Sequence, residues 1–260
     1  MVNDQANDAV IEPSPSPPSR KRRIRRYVVR PAAWLCLVAA LILGSLLLKP
    51  FYSANLGIVD GGRVIRSAQP TAALKDMIRD HKLASILNLR GGSPRNDYYS
   101  NELRVAEEAG VDFYDVSMSA TKRPRRSDLL RLIDVMNRCA YPLLIHCKSG
   151  ADRTGLATTI YRMIVLKEPP EEALGAFTIY HSHVPILGPE RLHEPIDEYA
   201  AWLARNGLPH TPERFHDWAL NTYKSDDPSV EPPPVAPGSR HAAGEEREAS
   251  RREPAQSIER

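Results

Sequence analysis

Cysteine is scarce in this chain: Cys36, Cys139 and Cys147 are the three among 260 residues. So small and odd a count excludes a disulfide framework and leaves each thiol to be explained singly. Net charge is nearly absent too. A formal +3 is too little to imply a nucleic acid partner. There is no internal repeat, which sets aside the stacked repeat architectures. The two ends lack apolar residues. Residues 3–20 (NDQANDAVIEPSPSPPSR) are polar and proline-rich, and from about Ser225 the chain runs through prolines and mixed charges with almost nothing to bury. Segments 1–30 and 224–260 are therefore expected to be disordered, the first of them basic.

What charge there is sits unevenly. Arg20, Lys21, Arg22, Arg23, Arg25, Arg26 and Arg30 crowd together, and directly behind them runs PAAWLCLVAALILGSLLL, residues 31–48, without a charge until Lys49. Eighteen apolar residues lie near the lower end of what spans a bilayer. A cleaved signal peptide usually has a shorter apolar region and a small-residue cleavage site, whereas Lys49-Pro50-Phe51-Tyr52 follows here. The pattern predicts a transmembrane signal anchor over 31–49. With the positive flank inside, the membrane becomes a partner and all that follows residue 50 is extracytoplasmic, on the periplasmic side.

Between anchor and tail, residues 53–223 have the length of one domain. GRVIRS (62–67), LASILNL (83–89), VDFYDVSM (111–118) and PLLIHC (142–147) read as strands, the last almost wholly apolar as a buried central strand would be. Helices are expected over 71–82 with Thr71 as N-cap, over 98–110 stopped by Gly110, over 127–139 capped by Ser127, and over 154–167, with more filling 170–181, 189–206 and 212–223. The alternation predicts an α/β domain with a mainly parallel sheet flanked by helices. Ligands bind such sheets at the carboxyl ends of strands, and Cys147 stands at one.

That end reads HCKSGADRTG, residues 146–155. A buried strand, a loop of small residues and a helix N-terminus together make an anion site, since the loop amides of Lys148, Ser149, Gly150, Ala151, Asp152 and Arg153 can converge on one centre. Gly150 lets the loop turn, and Gly155 lets the helix pack closely against the sheet. Arg153 offers a planar fork for two phosphate oxygens. The same groups favour a thiolate on Cys147, and the thiolate is the nucleophile. Thr154 can donate its hydroxyl to the sulfur, and His146 orders the loop from below. Any one of these residues alone would mean little; H-C-x5-R-T-G at a strand–loop–helix junction is specific.

The segment resembles the cysteine-dependent protein tyrosine phosphatase superfamily, whose signature is HC-x5-R-[ST]. Arg66-Ser67-Ala68-Gln69-Pro70 and Ile86-Leu87-Asn88-Leu89-Arg90 resemble its compact dual-specificity and bacterial branch, over roughly residues 58–170. The resemblance implies a protein-tyrosine-phosphatase-like fold, a phosphocysteine on Cys147, phosphoryl oxygens held by Arg153 and the loop amides, and no metal or other cofactor. It also implies a general acid, usually an aspartate on the loop after the third strand. Here that loop reads SMSATKRPRRSD, with Ala120 or Thr121 where the acid is expected. Asp115 and Asp128 are the upstream alternatives. Asp152 is another, because branches such as the myotubularin lipid phosphatases carry aspartate there; it could equally orient Arg153. A neighbouring cation favours the carboxylate, whereas an acid must hold its proton.

Lys148 resembles the first lysine of the HCKAGKGRTG loop of phosphoinositide 3-phosphatases, but the second is Ala151 here, which weakens inositide selectivity. Lys122, Arg123, Arg125 and Arg126 form a basic loop, either solvated or bordering the mouth to draw in an anion. The leading expectation is a phosphatase of the tyrosine or dual-specificity type. The alternatives are a phospholipid or phosphoinositide phosphatase, a catalytically inactive phosphate-binding module, and a sulfurtransferase with a similar loop.

Overall fold

The computed structural model describes residues 29–226. The expected disordered segments, 1–30 and 224–260, thus fall almost wholly outside the described residues. The chain divides into two compact units between Leu46 and Leu47, and the second carries the sheet.

The membrane expectation is overturned. Residues 31–48 do belong to one helix, α1 (Arg30–Tyr52). The uncharged stretch within it, residues 31–48, is eighteen residues long, about 27 Å of helix. This falls short of the roughly 30 Å of a hydrocarbon core. Among the described residues no helix is long and apolar enough to cross a membrane. The signal anchor, the membrane as partner and the single-pass, extracytoplasmic placement fall together.

The sheet has five strands, β1 (Gly57–Ile58), β2 (Val64–Ser67), β3 (Ser85–Asn88), β4 (Asp112–Asp115) and β5 (Leu143–His146), in the order β1-β2-β5-β3-β4. All neighbours are parallel except the short edge pair β1–β2, which sequence periodicity did not reveal. The fold is therefore the expected α/β type with a mainly parallel sheet flanked by helices. β5 lies at its centre with every residue buried, as its apolar run required. One face of the sheet packs Ile65, Ile86 and Leu144 against α2 (Leu74–His81) and α3 (Asp97–Ala109), while Leu87, Leu143 and Ile145 on the other meet α4 (Arg126–Arg138) and α5 (Asp152–Ile164).

Helix ends correct the caps. α2 starts at Leu74, and Thr71 instead turns back through its N–H to the Gln69 carbonyl, 3.0 Å. α3 ends as expected, on Gly110 at φ 68°. α4 is capped by Asp128 rather than Ser127. Its carboxylate accepts from the Arg125 N–H at 3.0 Å and pairs with the Arg125 guanidinium at 2.9 Å. Asp128 is buried and fully engaged there, far from the duties of an acid. Asp128→Ala should lower stability by about 1 kcal/mol in denaturant unfolding. The expected helix over 170–181 breaks after one turn, α6 (Pro170–Ala173), into 3-10 turns at 174–176 and 179–181; α7 (Glu194–Asn206) and α8 (Pro212–Asn221) complete the domain.

Candidate active site

The loop between β5 and α5 is shaped from outside. The Lys148 carbonyl accepts from the Gln69 N–H (3.3 Å), that of Ser149 from Asn55 Nδ2 (2.9 Å), and those of Gly150 and Ala151 from Arg66 Nη2 (3.0 and 3.2 Å). Each carbonyl drawn outward turns the N–H of the same peptide unit the other way, so the amides of residues 149–152 face the centre of the loop. The Gly150 N–H accordingly donates to Cys147 Sγ at 3.2 Å. Gly150 itself has φ +71°, and a Cβ there would lie 2.5 Å from the Ser67 backbone carbon. This is the mechanical meaning of Arg66-Ser67-Ala68-Gln69: β2 and the turn after it form the outer wall of the loop. Burial lowers the Arg66 guanidinium to about 10, against the opposing pull of Cys147 and Asp152.

Cys147 is buried at the end of the central strand. Beneath it, Nε2 of the buried His146 comes within 2.6 Å of Glu102 Oε1, off the line of a good hydrogen bond. The other carboxylate oxygen accepts from Gln69 Nε2 at 2.6 Å. Arg153 Nη1 donates to the Leu89 and Met118 carbonyls, both at 3.3 Å, while its buried Nε has no protein partner. The fork is braced on one side and open on the other. Thr154 Oγ1 is likewise buried and without a hydrogen bond, so the expected donation to the sulfur is not made in this state. Lys148 is exposed at the rim, and Ala151 is buried.

The three aspartates separate clearly. Asp128 serves the helix cap. Asp115 is aligned across β3 with His146, two strands from it and so about 10 Å away. Its Oδ1 accepts from Asn88 Nδ2 (2.9 Å) and its Oδ2 from the Tyr99 hydroxyl (2.5 Å). Desolvation pushes this carboxyl up, with the Tyr99 hydrogen bond opposing. A raised value suits an acid, but both oxygens are taken, one by Asn88 of β3 and the other by Tyr99 of α3. Asp152 stands in the loop itself, at the first turn of α5. It makes no salt bridge with Arg153. Its Oδ1 meets Nδ1 of the buried His183 at 2.8 Å.

Two further expectations change. Gly155 does not seat α5 on the sheet; it makes room for Phe177, whose ring a Cβ would meet at 2.6 Å. Two of the four residues of the basic loop are held internally. Arg123 grips Glu198 through both terminal nitrogens at 2.6 Å and donates to the Tyr223 hydroxyl, and Arg125 is held by Asp128. Sequence reasoning missed Asn55, Glu102, Phe177 and His183, which lie far from the motif along the chain and carry no local signature.

Residues 51–167 match the model of the tyrosine phosphatase family, in line with the resemblance drawn from the loop. The match supports a cysteine-based phosphatase. Similar solved structures include TpbA of P. aeruginosa with phosphotyrosine, 18% identical with a TM-score of 0.41, covering 59% of this chain and 98% of that one. The catalytic core of the PP-IP phosphatase Siw14 from S. cerevisiae is 23% identical at a TM-score of 0.43, covering 60% and 96%. PTPMT1 is 22% identical at 0.40, covering 58% and 99%.

Proposed function

We propose that the domain hydrolyses phosphate monoesters through a phosphocysteine on Cys147, and that its substrates are phosphoproteins of the tyrosine or dual-specificity class. The inward amides of the loop, fixed by four outward carbonyls, carry this reading, because they build a cup for three phosphoryl oxygens with Sγ at its base. Arg153 binds through the side of its fork that includes Nε. The sulfur attacks phosphorus as the P–O bond to the leaving group breaks, and Asp152 gives that oxygen its proton. Water then forms the new P–O bond as P–S breaks, and its proton returns to Asp152. Asp152 has this role because the carboxylates of Asp115 and Asp128 are both committed elsewhere.

The substrate class follows from charge. With Ala151 at the loop and Arg123 and Arg125 tied to carboxylates, part of the positive charge that additional phosphates would need is already taken. A singly phosphorylated side chain fits better than a multiply phosphorylated inositol. A phospholipid headgroup is the second reading, supported by the exposed Ile186 and Leu187 on the segment that carries His183. A panel of phosphopeptides, lipid phosphates and inositol polyphosphates, assayed on the full chain, decides between them. Preference for the inositol polyphosphates would overturn the charge argument.

Asp152→Asn tests the acid. It should slow phenyl phosphate at least tenfold more than 2,4-dinitrophenyl phosphate, whose leaving group departs as an anion and needs no proton. Equal losses on the two esters would refute the role, and a leaving-group effect in Asp115→Asn instead would move the acid to β4.

A further inference from the structure

The segment after α6 places a second layer of side chains against the phosphate loop. His183 meets Asp152 Oδ1 through Nδ1 at 2.8 Å, and its other nitrogen, Nε2, meets His193 Nε2 at 2.8 Å. The ring of Phe177 packs on both imidazoles, with centroids 4.7 and 4.1 Å away, and its own seat is the notch left by Gly155 on α5. His183 is 3% exposed. Three residues from separate stretches of chain thus make one line from the catalytic loop outward. Among the described residues no cluster of His, Cys, Asp and Glu is arranged to hold a metal ion, so the line is read as hydrogen bonds.

We propose that His183 is a positioning residue for Asp152, and that His193 fixes which ring nitrogen of His183 carries the proton. The proposal rests on the acid role of Asp152. A contact between two Nε2 atoms at 2.8 Å requires one N–H and one lone pair, so the two rings cannot both present a proton there. When His193 donates, His183 Nε2 accepts, and a neutral His183 must then carry its proton on Nδ1. That N–H donates to Asp152 Oδ1, which leaves Oδ2 to hold the catalytic proton toward the leaving group. Without this tautomer, His183 would present a lone pair to Asp152 and draw the carboxyl proton to itself, away from the substrate. Burial, and then His183, hold His193 below its ordinary value against the opposing pull of Asp152 and Glu190. The other charges facing the line are those of Arg66, on which Asp152 acts electrostatically, and Cys147 within the loop.

The test uses the full chain and the two aryl esters. His183→Ala should lower kcat for phenyl phosphate about tenfold or more, with KM little changed, and leave 2,4-dinitrophenyl phosphate within about twofold. His183→Asn, whose amide can donate to Asp152 as Nδ1–H does, should recover most of the loss. His193→Ala should show a smaller loss of the same selective kind, and His193→Gln, which keeps a donor, should reduce it. Equal losses on the two esters, or no recovery in His183→Asn, would overturn the proposal. If Asp152→Asn depends on the leaving group and the histidine variants do not, the positioning role alone fails; if Asp152→Asn shows no such dependence, the acid reading fails and takes this one with it. Should His183→Ala not fold, the His183→Asn and His193 variants decide the matter: selective loss in His193→Ala that His193→Gln repairs supports the line, and a uniform loss refutes it.

Discussion

Cys147→Ser should reduce hydrolysis of aryl phosphates by more than about 100-fold while orthovanadate still binds, because it removes the nucleophile and leaves the cup. Serine keeps the size of the side chain, and the loop carbonyls stay tied to Gln69, Asn55 and Arg66. Titration with vanadate, read by calorimetry, separates this outcome from misfolding. Residual turnover above about one per cent would exclude a phosphocysteine, since covalent catalysis of this kind contributes orders of magnitude. Arg153→Lys should fail in the complementary way. A point charge cannot reproduce a fork braced on the Leu89 and Met118 carbonyls, so both turnover and vanadate binding should be lost.

Gly150→Ala is expected to have the second largest effect, and from one methyl group. The position has φ +71°, and the added carbon would lie 2.5–2.6 Å from the backbone of Ser67 and Ala68. These are strand-end backbone atoms and cannot swing aside, so the loop must shift. The Gly150 N–H would then move off the sulfur and the neighbouring carbonyl off Arg66. Activity should fall by at least about 100-fold, of the order found when a preorganised oxyanion donor is lost, with a stability loss of about 1–3 kcal/mol. Denaturant melts beside kinetics check both. A fully active variant would mean that the loop tolerates displacement and that inward amides are not what the site depends on.

How much of this was legible beforehand depended on how local each signal was. The central strand was readable because Leu143–His146 is apolar on both faces, and Gly110 announced the end of α3. The loop was readable because its chemistry is compressed into HCKSGADRTG. The two-residue edge strand β1 is too short to show periodicity. The break after Ala173 was hidden by a helical composition that the packing of Phe177 overrides. Thr71 and Ser127 looked like caps, and both lost to near neighbours in the chain: Thr71 turns back to the Gln69 carbonyl, and Asp128 bonds the Arg125 N–H with a charge. The basic loop misled because charge is visible in sequence while the acidic partner, Glu198, lies 75 residues away. The apolar run of α1 misled in a similar way, since its composition suggested a span that the described helix does not supply. Asp152 was a candidate from the loop alone; its partner His183, 31 residues on, was not.

The outward-turned carbonyls have a consequence for how such a site can be moved or rebuilt. A ten-residue HC-x5-R-T-G segment transplanted to another strand–helix junction would bring the thiol and the guanidinium but not their mould. Asn55, Arg66 and Gln69 come from a stretch that precedes the segment by about eighty residues or more, and they decide which way its peptides face. The heritable unit of this chemistry is therefore the pair of adjacent parallel strands β2 and β5 with the turns that leave them. A chain that kept the signature while altering the RSAQ turn would retain the letters of a phosphatase without its cup.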